Sequence, residues 1–157
     1  MLGCGTSNDG PPPTAPVTYN CAADTRGETY VPGRVAVGEN KVFNFKLISI
    51  DPSPPSRGNN SWVVEIDAMM DDVVGAPVSG LCEDGCPTPS EDVTVTPWMP
   101  DHQHGSPIIV DTMPAETAGQ YTLDPINLWM PGVWTTTIAV TQGSAFDKAV
   151  YTFCLAE

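Results

Sequence analysis

Both histidines of the chain fall in one short stretch, Trp98-Met99-Pro100-Asp101-His102-Gln103-His104-Gly105-Ser106-Pro107. Residues two apart in an extended segment project to the same side, so His102 and His104 can act together. Met99 lies just upstream. A second Met-Pro turn, Leu128-Trp129-Met130-Pro131-Gly132-Val133-Trp134, comes later. Two imidazoles and one or two thioethers suit a soft or borderline ion such as copper. The expected metal ligands are therefore His102, His104, Met99 and Met130. Met113 is a weaker candidate, since it reaches the same rim only if its strand bends back.

Each of these residues also has an architectural reading. An imidazole in a Pro-flanked turn can satisfy backbone groups. A methionine more often fills a gap in the core than ligates a metal. Asp101 is either a carboxylate that orients an imidazole or a surface acid in a turn. Trp98, Trp129 and Trp134 either shield a copper site or fill the interior.

The elements that must position this stretch read as strands. Phe43, Phe45 and Leu47 alternate with Asn44 and Lys46. Trp62, Val64, Ile66 and Ala68 alternate with Glu65 and Asp67. This period of two marks strands with one buried face. The run 51–60 is a loop rich in Pro, Ser, Gly and Asn. A short edge segment is expected at 76–78, where a proline bars a central position. Further strands are expected over 91–98, 108–113, 120–123, 134–140 and 148–155, with an irregular lead-in over 19–40. Turn signals recur roughly every ten residues, and no convincing helix or repeat interrupts them. The fold class is all-β, an immunoglobulin-like β-sandwich of seven to eight short antiparallel strands.

The chain has 157 residues, the size of one domain with one core. Residues 1–18, with a Pro-Pro-Pro run, read as a flexible tether. Residues 19–157 read as the single sandwich domain. Six basic against nineteen acidic residues give a net charge of −13. That argues against nucleic acid and against electrostatic docking on anionic lipid. No apolar run is long enough to span a bilayer.

Cysteines stand at 4, 21, 82, 86 and 154. Setting Cys4 apart leaves four, which suggests two disulfides and an oxidising compartment. Four cysteines allow three pairings, and spacing does not choose among them. The favoured arrangement is Cys21–Cys154 with Cys82–Cys86, one tying the lead-in to the last strand and the other clipping a loop. A zinc site at Cys82 and Cys86 is the weaker alternative, because its surroundings are acidic and no second close pair exists. Leu2-Gly3-Cys4 resembles the end of a bacterial lipoprotein signal, with Cys4 as the acylated residue. A tether directly after it is what an anchored domain needs.

Val95-Thr96-Pro97-Trp98-Met99-Pro100-Asp101-His102-Gln103-His104-Gly105 resembles the Met-Pro-x-His-x-His-Gly signature of the YtkA-like domain, also seen in FixH-like proteins. Gly119-Gln120-Tyr121 and the Leu128–Trp134 turn are similar to its second half. The resemblance runs over about residues 40–154. It implies a small exported β-sandwich, often a lipoprotein of the cell envelope, loosely associated with copper biology. Cys82 and Cys86 are additions to that pattern, so no role for them follows from it.

Enzyme chemistry finds little footing. No Gly-rich phosphate loop or Gly-x-Ser-x-Gly elbow occurs. Ser106 beside His104 is not a triad. The acids are too many for two to be singled out as acid and base. The expectation is a non-enzymatic protein of the periplasm or outer membrane of a Gram-negative bacterium, held by a lipid anchor. It would bind copper and serve a membrane-bound copper-handling or envelope partner. The competing expectation is an interaction module of an envelope assembly, in which the histidine loop is a fold-defining turn.

Overall fold

The computed structural model describes residues 18–78 and 93–156. The expected tether, Cys4 and the pair Cys82 and Cys86 lie outside the described residues. Ten strands form in chain order. They are β1 (Arg34–Val37), β2 (Phe43–Asp51), β3 (Gly58–Met70), β4 (Val73–Pro77), β5 (Val93–Met99), β6 (His104–Gly105), β7 (Asp111–Pro114), β8 (Gln120–Leu128), β9 (Gly132–Gln142) and β10 (Ala145–Leu155). No α-helix occurs among the described residues; a single 3-10 turn spans Cys21–Ala23.

The strands make two antiparallel sheets, one in the order β1-β2-β3-β8-β7 with β4 also on β3, the other β10-β9-β5-β6. The chain is thus the all-β sandwich expected, built from ten strands where seven to eight were expected. Alternation places the core. Phe45, Trp62, Val64, Ile66 and Leu123 face inward from the first sheet, and Met99, Trp134, Ile138, Tyr151 and Phe153 from the second. Trp62 meets Tyr151 and Phe153 edge-to-face, at centroid distances of 6.3 and 5.5 Å. That geometry is favourable for aromatic quadrupoles.

Several boundaries differ from the sequence expectation. β1 lies in what reads as an irregular lead-in. It is an edge strand with Val35 and Val37 half-exposed, so its polarity gives no buried-face signal. β3 begins at Gly58, inside the expected loop, because Gly58, Asn59 and Asn60 pair with Leu128, Asn127 and Ile126. Ile108–Val110, expected as strand, is not one. Pairing there starts at Asp111, and Ile109 is 86% exposed.

The two ends of the sandwich are held differently. At one end Asp147 on β10 is fully buried and accepts hydrogen bonds from the backbone N–H groups of Asn40, Val42, Phe43 and Lys148, at 2.8, 2.8, 3.0 and 2.8 Å. Gly38 is packed against that carboxylate so closely that any Cβ there would collide with it. At the other end lie the β5–β6 turn, the β8–β9 turn and the segment from Tyr19. The Tyr19 N–H donates to the Ala156 carbonyl at 3.0 Å, so the chain enters and leaves the sandwich together. A disulfide joins Cys21 to Cys154, the longer of the two bridges expected.

Candidate functional site

β5 and β6 form a tight hairpin. Trp98 pairs with Gly105 and Met99 with His104, leaving residues 100–103 as the turn. Gln103 adopts φ +53, and its N–H donates to the Met99 carbonyl at 2.9 Å. His102 is exposed on the turn, and His104 is half-buried at the start of β6. Their ring centroids are 5.7 Å apart. Two imidazole nitrogens each about 2 Å from one ion place their ring centroids at a comparable separation.

His104 is the more firmly seated ring. It stacks on Trp129 at 5.3 Å with a 24° interplanar angle and meets Trp134 edge-on at 6.3 Å. Its Nδ1 lies 3.2 Å from the Gly105 carbonyl oxygen. With the proton on Nδ1, that nitrogen donates to the carbonyl and Nε2 keeps a free lone pair for a metal. His102 opens onto a pocket of about 380 Å³ lined also by Tyr19, Arg57, Trp129, Met130 and Pro131. Arg57 Nε donates to the Trp129 carbonyl at 3.0 Å, and Trp134 Nε1 to the Met130 carbonyl at 2.9 Å. These two bonds fix the β8–β9 turn that presents Trp129 and Met130.

Of the four expected ligands, the structure thus brings His102, His104 and Met130 to one end of the sandwich. Met99 departs from that grouping. It is fully buried, because the alternation of β5 sends Val93, Pro97 and Met99 inward. Its methyl group packs on Gly132, where a Cβ would come within 2.7 Å of it. Gly132 also holds φ +128, a conformation that side chains disfavour. Met99 is a core residue and not a rim donor. Met113 is remote as well, paired with Thr122 along β8. Trp134 belongs to the core, while Trp98 and Trp129 are each 41% exposed. Among the described residues, no group of three or more His, Cys, Asp or Glu is placed to hold a metal.

Among the described residues, Asp101 makes no hydrogen bond to either imidazole. It takes Arg26 in a two-pronged ion pair, Nη1 to Oδ1 at 2.6 Å and Nη2 to Oδ2 at 2.7 Å. Arg26 also holds Asp24, with Nη2–Oδ2 at 2.6 Å and Nε–Oδ1 at 3.0 Å. The Tyr19 hydroxyl donates to Asp24 at 2.7 Å. Hydrogen bonding from Arg26 pulls both carboxyls below the usual range. The bond to Asp24 raises the Tyr19 hydroxyl. Sequence reasoning missed Tyr19, Arg26 and Arg57. The available signal was the Cys21–Cys154 link, which brings the lead-in to the end of the last strand and hence to the histidine loop.

A sandwich of two antiparallel sheets with its only histidines on a hairpin at one end defines the class of this domain. The family model described as YtkA-like matches residues 38–139, and the chain belongs to that family. No curated protein and no solved structure matches it.

Proposed function

We propose that this is an exported, lipid-anchored copper-binding domain that holds the ion between His102 and His104, with Met130 as a third donor. The observation that supports it is the 5.7 Å approach of the two rings at a pocket shared by His102 and Met130. Imidazoles hold Cu(II), and a thioether adds affinity for Cu(I). Trp129, stacked on His104, walls one side. The role is binding and transfer rather than catalysis. Cys4 carries the anchor, the domain lies in the periplasm or on the outer membrane, and a membrane-bound copper protein receives the ion. The acidic surface, with its net charge of −13, steers encounter with a basic partner face.

A second reading is favoured by one observation, the seating of His104 against two tryptophans. In it the loop is a packed turn and the domain an interaction module of the envelope. Titration with Cu(II), and with Cu(I) under reductant, separates the two. One equivalent bound by the native domain and lost in His102→Ala/His104→Ala supports the copper reading. Equal weak binding by both forms refutes it and leaves the module.

A further inference from the structure

We propose that Arg26 is a positioning residue for His102, clamping the histidine turn through Asp101. The clamp rests on the copper reading for its purpose, but its geometry is testable without metal. His104 is seated by Trp129, Trp134 and the Gly105 carbonyl. His102 has no comparable support, and among the described residues its ring forms no hydrogen bond. Its place depends on the backbone of a four-residue turn. The side-chain tether of that turn is Asp101, directly before His102, gripped at both oxygens by Arg26.

Arg26 is itself immobilised. Asp24 takes its Nε and Nη2, and the Tyr19 hydroxyl accepts from Nη2 at 3.2 Å. The segment carrying all three is pinned to the last strand. Cys21 is bonded to Cys154, the Tyr19 N–H reaches Ala156, and the Glu28 N–H reaches the Thr152 carbonyl at 2.8 Å. Tyr19 additionally lines the pocket beside His102 and Met130. A rigid strap thus reaches across 75 residues of sequence to fix one imidazole relative to the other. A planar guanidinium pairs with a carboxylate through two parallel N–H bonds, a fork that a point-like ammonium lacks. The strap also lies outside the residues matched by the family model.

The test uses Arg26→Met, Arg26→Lys, Asp101→Ala and the double variant Arg26→Met/Asp101→Ala, all with the disulfide intact. Exposed ion pairs add little to global stability, so thermal midpoints stay close to that of the native protein. In the metal-free protein, NMR of Arg26→Met shows faster amide exchange over residues 100–103 and a lost contact between the His102 and His104 rings. Cu(I) affinity, read by competition with a chromophoric chelator, falls about tenfold in Arg26→Met and in Asp101→Ala. Arg26→Lys is intermediate, and the double variant is no worse than either single one. Unchanged turn exchange and ring contact in metal-free Arg26→Met overturn the clamp. So does full Cu(I) affinity in that variant when His102→Ala/His104→Ala has lost it. If the native protein takes no copper, the copper reading fails and the metal-free NMR alone decides the clamp.

Discussion

Replacing Asp147 by Asn alters one functional group yet should be among the most damaging single changes in the domain. Each carboxylate oxygen accepts two backbone N–H groups, Asn40 and Lys148 on Oδ1, Val42 and Phe43 on Oδ2. An amide keeps one acceptor oxygen, and its NH2 then faces two N–H donors in either orientation. Two buried donors left unpaired cost about 1–3 kcal/mol each, and the remaining bonds lose their charge assistance. The expected loss is about 4 kcal/mol, or roughly 10 °C in thermal midpoint for a chain of this size. The pH dependence has a defined sign. Burial pushes the Asp147 carboxyl up, but the four N–H groups outweigh it and leave the pKa below the ordinary value. Its stabilising contribution is complete above the unfolded-state value of about 3.9. It disappears as the pH falls through the lower folded value. Urea unfolding of native and Asp147→Asn protein at several pH values measures both effects. A loss below about 1 kcal/mol at neutral pH, or a gap that fails to narrow in acid, would refute the reasoning from buried donors.

Other substitutions check other parts of the structure. Met130→Leu should weaken Cu(I) binding about tenfold at unchanged stability, while Met99→Leu should leave binding intact and cost less than about 1.5 kcal/mol; chelator competition and thermal melts on the same samples read both. Gly132→Ala should destabilise by about 2 kcal/mol, from its φ of +128 and the Met99 methyl in its path, measured by chemical unfolding. The Cys21–Cys154 link spans 133 residues, and chain entropy assigns its removal about 5 kcal/mol. Cys21→Ser/Cys154→Ser should approach that loss in urea and should free the amides of residues 19–28 to exchange.

What could be read in advance follows from how local each cause is. Alternation in Phe43–Leu47 and Trp62–Ile66 is a property of neighbouring residues, and it correctly gave buried faces. β1 was illegible because an edge strand with Val35 and Val37 turned to solvent reverses the usual signal. The early start of β3 depends on Leu128, Asn127 and Ile126 across the sheet, which no local pattern encodes. The histidine pair was legible because its members are two residues apart in sequence. Met99 misled because its proximity to them in the chain hides a change of face: β5 turns it inward before the chain bends. Arg26 and Asp147 act on partners 75 and more than 100 residues away, and only the folded chain brings those partners into view.

Tyr19 and Ala156 meet beside the histidine hairpin, and this governs how the domain can be handled. A purification tag or fusion partner joined through either of these residues is joined next to the imidazole pair. A polyhistidine tail would bring a crowd of competing ligands to the very spot being assayed. The far end offers a cleaner handle. β3 runs from Gly58, near the hairpin, to Met70, about 40 Å along an extended strand. The turn at Asp71-Asp72 lies beyond it and is open to solvent. Dyes, surfaces or crosslinkers attached at that turn leave the histidine end untouched, and the chain upstream of Tyr19 joins the sandwich on the same side as the imidazoles.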